Sequence, residues 1–143
     1  MAIDDLLRSG RIRREAVSAA EVRQALKLAE RDLRVARKLM GEEFDWGFTV
    51  AYNAVLQAAR ALMFAQGYRP ASVEGHKNTF AFLAAALGPQ HADLVSYFDR
   101  MRNKRNQAVY GMAGRIAETE ARNLLAKATE FVKLVRRLVK EAS

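Results

Sequence analysis

The chain has no cysteine, two prolines and two histidines in 143 residues. Without cysteine there is no disulfide framework and no thiolate zinc site, which fits a reducing compartment. Scarce proline and sparse glycine leave long uninterrupted stretches, which favours helices over turn-rich β architecture. His76 and His91 lack the spacing of a metal-ligating pair, and Glu42, Glu43 and Glu74 do not supply the facing carboxylates of a helical dimetal site. No metal and no cofactor is therefore expected. A phosphate-binding P-loop, a dinucleotide fingerprint and a nucleophile elbow are all missing as well. No apolar run reaches the ~18 residues of a membrane span. The nearest, Trp46 to Ala65, is broken by Asn53, Gln57 and Arg60. The start, Met1-Ala2-Ile3-Asp4-Asp5, is acidic where a secretory signal would be basic. The expectation is a cytoplasmic protein that does not engage membranes.

What is present is hydrophobic and basic. Half of the residues are hydrophobic, enough for a proper core, and the length suggests a single domain over residues 1–143. The net charge is +8 and the pI about 10.2. That balance draws polyanions, chiefly nucleic acid, although it says nothing about where the charge lies.

Hydrophobic periodicity orders the chain into helices. Residues 3–8 suit a short helix ended by Ser9-Gly10, and Arg11-Ile12-Arg13-Arg14 reads as a basic strap, so residues 1–17 form an N-terminal extension. Ser18 followed by Glu21 is a capping box. From there Val22, Leu26, Ala29, Leu33, Ala36 and Met40 mark one face of a helix stopped by Gly41. A second helix runs from Asp45 or Trp46 to Gln66, with Gly67 as its cap. It is apolar nearly all round, so it belongs at the centre of a domain or divides itself between core and subunit interface. Its polar exceptions Asn53, Gln57 and Arg60 share one stripe, which is either a solvent face or the wall of a polar site.

Residues 68–72 read as a loop, and a third helix spans His76 to Leu87. His91 suits an exposed helix start. His76 suits either a structural role at its helix start or a place near an anion. A fourth helix covers Gln90 to Tyr110, Gly111 and Gly114 bracket a turn, and the last helix covers Glu118 to Glu141. No convincing strand appears. The expected fold is all-α, an antiparallel up-down bundle of four main helices plus shorter pieces.

The fourth helix carries the most informative run, Arg102-Asn103-Lys104-Arg105-Asn106-Gln107-Ala108-Val109-Tyr110. Leu94, Phe98, Met101, Ala108 and Met112 repeat at helical spacing, and Arg105 fills the missing step of that apolar seam. A guanidinium there is costly to bury unpaired, so it needs a carboxylate, a subunit interface or an anionic ligand. Arg102, Asn106 and Tyr110 line one stripe and Asn103 joins its edge. The stripe is either a solvated face or a phosphate- and base-binding surface.

The ordered set of pieces resembles the HEPN family, small helical proteins of prokaryotic toxin–antitoxin and defence systems. The residues that carry the likeness are Ala29-Glu30-Arg31-Asp32-Leu33, Asp45-Trp46, Ala51-Tyr52-Asn53-Ala54, Ala58-Ala59-Arg60-Ala61-Leu62, Gly67-Tyr68, Gly75-His76-Lys77 and Arg105-Asn106-Gln107-Ala108-Val109-Tyr110. In active members an Arg and a His, often written Arg-Asn-x-x-x-His, form a metal-independent RNase site across a homodimer interface.

By that resemblance Arg105, Asn106 and Tyr110 are the candidate catalytic residues. Arg105 would polarise the phosphate, Asn106 would position the 2′-hydroxyl or the Arg, and Tyr110 would be a weak proton donor. Arg102, Asn103, Asn53, Gln57 and Arg60 are the candidate nucleic-acid-binding residues. Tyr110 departs from the pattern, because a phenol with a pKa of about 10 is a poor base at pH 7 where an imidazole is a good one. The implied function is a toxin-type component that binds RNA and, with that departure, either cleaves it or does not. The alternative is a non-catalytic subunit that binds nucleotide, or the acidic surface of a partner, in complex with a minimal nucleotidyltransferase antitoxin.

Overall fold

The structure, a computed structural model, describes residues 1–109 and 116–142. Six helices dominate it: α1 (Ile3–Arg8), α2 (Ala19–Leu39), α3 (Phe44–Ala65), α4 (Gly75–Leu87), α5 (Ala92–Val109) and α6 (Glu118–Ala142). The all-α class is as expected.

Helix α2 begins at the capping box. Ser18 Oγ accepts from the Glu21 N–H at 3.2 Å, and the Glu21 carboxylate accepts from the Ser18 N–H at 3.3 Å. Its buried stripe is Val22, Ala25, Ala29, Asp32, Leu33 and Ala36, and the four residues 40–43 turn the chain back into α3. So short a connection makes α2 and α3 antiparallel neighbours. Gly47 lets them close: a Cβ there would meet the Met40 Cε at 3.0 Å and the Ala36 carbonyl at 3.4 Å.

Within the chain, the apolar α3 takes the central place. It packs along α2 and α6 and also touches α4 and α5. Ala51, Ala54, Ala58, Ala59 and Ala61 are fully buried along it, small enough to admit neighbours on several sides. Gly67, at φ +85°, takes the left-handed turn after α3 that a Cβ would strain.

Two corrections concern the extension. Ile12–Arg14 is a short strand, β1, which pairs antiparallel with a second, β2 (Tyr68–Pro70), in the register Ile12↔Pro70 and Arg14↔Tyr68. The strap therefore lies on the bundle by main-chain hydrogen bonds, and residues 68–70 are not loop. Three residues are too few to show an alternation, so no strand signal was available before the chain folded. The strap is also tied to α4, where Arg11 Nε donates to Asn78 Oδ1 at 2.8 Å.

The start of the fourth helix shifts too. Pro89–His91 forms a single 3₁₀ turn, and α5 starts at Ala92. Val95, Phe98 and Met101 are its buried seam, with Leu94 half-buried beside them. Phe98 packs on Phe131 of α6 with ring centroids 5.2 Å apart. The Lys104–Glu120 ion pair and an Asn123 Nδ2 to Tyr97 Oη hydrogen bond of 3.0 Å add polar links between α5 and α6. These contacts set the rotation of α5, and so decide where Arg102 and Arg105 point.

Candidate anion-binding site

Three helices converge where α5 crosses α3 and the start of α4. From α3 comes Tyr52, fully buried on the side facing α4 and α5. From α4 comes His76, whose Nδ1 lies 3.2 Å from the Tyr52 hydroxyl. From α5 comes Arg105, half-buried, with its Cζ 5.6 Å from the Tyr52 ring centroid. The seam position that seemed wrong for an arginine is thus walled by the face of a tyrosine. Its Nη1 donates to Asn106 Oδ1 at 3.4 Å, while its Nε is buried with no hydrogen-bond partner among the described residues.

Around this pair the charge is positive. Arg102 donates from Nε to Asp99 at 3.0 Å. Arg60 and Arg105 have no carboxylate partner among the described residues. The field shows in the titrating groups. Burial, and then the guanidiniums of Arg60, Arg105 and Arg102, hold the His76 imidazole below its usual pKa. Burial pushes the Tyr52 phenol up to about 12, outweighing the opposite pull of Arg105 and Arg102. Burial also draws Arg60 downward.

The open side of the cluster is a cavity of about 260 Å³ lined by Glu74, Gly75, His76, Lys77, Arg102 and Asn106. At its edge Glu74, with φ 56° and ψ 41°, takes the left-handed conformation and turns the chain into α4 without a side-chain cap. A second cavity of about 280 Å³ shares Lys77 and Arg102 and continues over Phe80 and Val95 to Arg11 of the strap. Arg11, Lys77 and Arg102 line these adjoining cavities with the apolar Phe80 and Val95, alongside Asp99 and a Glu74 that lies 3.9 Å from Lys77, so the basic groups outnumber the acidic ones across both openings.

A family model described as HEPN domain matches residues 22–138. The chain belongs to the HEPN family. HEPN proteins are generally ribonucleases or nucleotide binders, and HEPN domains commonly dimerise and bind RNA. No curated protein matches the sequence. Arg11 of the strap, which lines the second cavity, precedes the residues matched by the family model. Among the described residues no helix is long and apolar enough to cross a membrane, and no group of His, Asp and Glu is placed to hold a metal.

Against this HEPN framework the sequence candidates divide. Arg102 and Asn106 line the cavity, Arg105 sits behind them with Nη1 donating to Asn106, and Arg60 is near enough to bias both His76 and Tyr52. Asn103 is exposed and lines neither cavity. Asn53 and Gln57 are half-buried and make no side-chain hydrogen bond among the described residues. Tyr110 and the Gly111–Gly114 turn lie outside the described residues.

Two members of the cluster escaped sequence reasoning. Tyr52 was one residue in a family-like run, and His76 was read as structural or near an anion with nothing to decide between them. The available signal was a phenol on an otherwise apolar helix, which needs a hydrogen-bond partner once buried.

The depressed His76 makes a pH prediction. The unfolded chain, with its histidine near 6.5, binds a proton before the folded chain does. Stability from this residue is therefore complete above that pH and is lost as pH falls towards the lower folded value. Thermal melts between pH 7.5 and 5.5 should show wild type losing more melting temperature than His76→Gln. Parallel losses would refute the coupling. Asp5 and Glu120, both held below the usual carboxylate range, titrate under this window.

Proposed function

We propose that this HEPN protein binds single-stranded RNA, with a backbone phosphate held at the cavity between α4 and α5 by Arg102, Arg105 and Asn106. Arg60 and Lys77 add to the attraction. The observation that carries the reading is the pair of half-buried guanidiniums, Arg60 and Arg105, with no carboxylate partner among the described residues. A folded chain keeps such charges unpaired where an anion completes them. The adjoining cavity towards Arg11 favours a polynucleotide over a lone nucleotide, since successive phosphates would meet successive basic groups.

The family's biology makes a toxin-type role in a toxin–antitoxin or defence system the natural setting, with a homodimer as the working unit. A minimal nucleotidyltransferase is the fitting antitoxin. Binding is the activity adopted because cleavage needs a group that takes a proton near pH 7, and Tyr110 is a phenol.

The test is the salt dependence of affinity for a labelled single-stranded RNA oligonucleotide, read by fluorescence anisotropy. Three or four phosphate contacts give a log–log slope of about −2 to −3, or a roughly twenty- to fiftyfold loss between 50 and 200 mM salt. No binding at low salt, or a slope near zero, would remove the proposal.

A further inference from the structure

We infer that His76 is a phosphate-binding residue that donates a hydrogen bond from Nε2–H, and that Tyr52 is the positioning residue that fixes the proton there. The inference rests on the RNA-binding reading of the site. A buried phenol O–H needs an acceptor, and among the described residues the only partner of the Tyr52 hydroxyl is His76 Nδ1, at 3.2 Å. The opposite polarity, with Nδ1–H donating to the phenolic oxygen, leaves the hydroxyl proton without an acceptor among the described residues. The O–H therefore donates to Nδ1, and a neutral ring then carries its own proton on Nε2.

That nitrogen has no protein acceptor among the described residues, and His76 lines the cavity together with Lys77, Arg102 and Asn106. The charged and titratable groups facing the Tyr52–His76 pair are Arg60 from α3, Asp99, Arg102 and Arg105 from α5, and Glu74 and Lys77 at the start of α4. Their balance is positive, which opposes an imidazolium and keeps the ring neutral at pH 7.5.

The consequence is chemical. An imidazole whose Nδ1 lone pair is occupied and whose Nε2 is protonated has no site to accept a proton from a ribose hydroxyl. In this HEPN chain the one imidazole of the cluster grips a phosphate oxygen; it does not activate a nucleophile.

The test has two arms at pH 7.5 on the full chain. Long-range ¹H–¹⁵N NMR of the free protein reads the tautomer directly. Wild type should show the Nε2–H form, and Tyr52→Phe a mixture. Anisotropy with the labelled RNA should show His76→Ala weakened about tenfold or more, the worth of one donor to a charged oxygen. His76→Gln, whose side-chain amide can donate from a similar position, should stay within about threefold of wild type. Circular dichroism melts establish that each variant is folded. An Nδ1–H tautomer in wild type overturns the inference. So does His76→Ala binding like wild type while Arg105→Ala loses affinity, which leaves the RNA reading standing. If both alanine variants bind like wild type, both readings fall.

Discussion

Arg105→Ala is expected to weaken RNA binding about 10- to 100-fold at pH 7.5 and moderate salt. A hydrogen bond between charged groups contributes about 1.5–3 kcal/mol, and each 1.4 kcal/mol is about tenfold in affinity. Arg105 stands at the upper end of what one residue can do here for three reasons. Its Nε is buried without a partner among the described residues, so part of its desolvation cost is met before an anion arrives at the exposed end of the guanidinium. Its guanidinium sits over the face of the Tyr52 ring, Cζ 5.6 Å from the centroid, and donates to Asn106, so part of its side-chain freedom is already lost before binding. Its field acts on the Tyr52–His76 pair together with that of a second guanidinium, Arg60, that lacks a carboxylate among the described residues.

Arg105→Lys separates charge from shape. The ammonium keeps the long-range attraction but loses the paired N–H fork and the stacking surface, so an intermediate affinity is expected. Removing one phosphate contact should also flatten the salt slope by about 0.7. An alanine variant that binds with unchanged affinity and slope would sink the assignment of this residue.

The second large effect is on stability. Phe98→Ala should cost about 3–5 kcal/mol, the usual range for emptying a large aromatic site in a sealed core. Phe98 is fully buried, 5.2 Å from Phe131 and 5.7 Å from Tyr97 between ring centroids, so neighbours on two helices lose contact at once. Urea unfolding should show a midpoint lower by more than about 1 M. Val35→Ala, at an exposed position on α2, should stay within about 0.5 kcal/mol of wild type. A Phe98→Ala midpoint equal to that of Val35→Ala would mean that α5 is not anchored through this ring. The same anchoring fixes the site, because α5 presents Arg102 and Arg105 only at the rotation that Val95, Phe98 and Met101 impose.

Much of this was legible beforehand where the information is local. The Ser18–Glu21 box needs only residues three apart, and it forms as read. The stripe from Val22 to Met40 needs only the helical repeat. The nearly all-apolar composition of α3 announced a covered helix, but it could not say how much of the cover was the same chain and how much a partner. That took the positions of α2 and α6. The β1–β2 pairing was hidden for a related reason. Each strand is three residues long, and its register is defined by a partner far along the chain.

The sequence by itself determined the helical fold, the HEPN likeness and the anomaly of an arginine in the apolar seam of the fourth helix. The fold and the anomaly follow from periodicity, caps and composition, which act over a few residues; the likeness rests on the ordered set of pieces that resemble the family. Only the tertiary structure decided what surrounds that arginine. Tyr52, His76 and Arg105 lie on three different helices, and no spacing rule relates them. Their meeting is set by the packing of α3 against α4 and α5. Burial and field then follow from that meeting, raising the phenol, lowering the imidazole and leaving two guanidiniums without a carboxylate among the described residues. A charge pattern can be counted along a chain, but whether it is compensated depends on distances that exist only once the chain has folded.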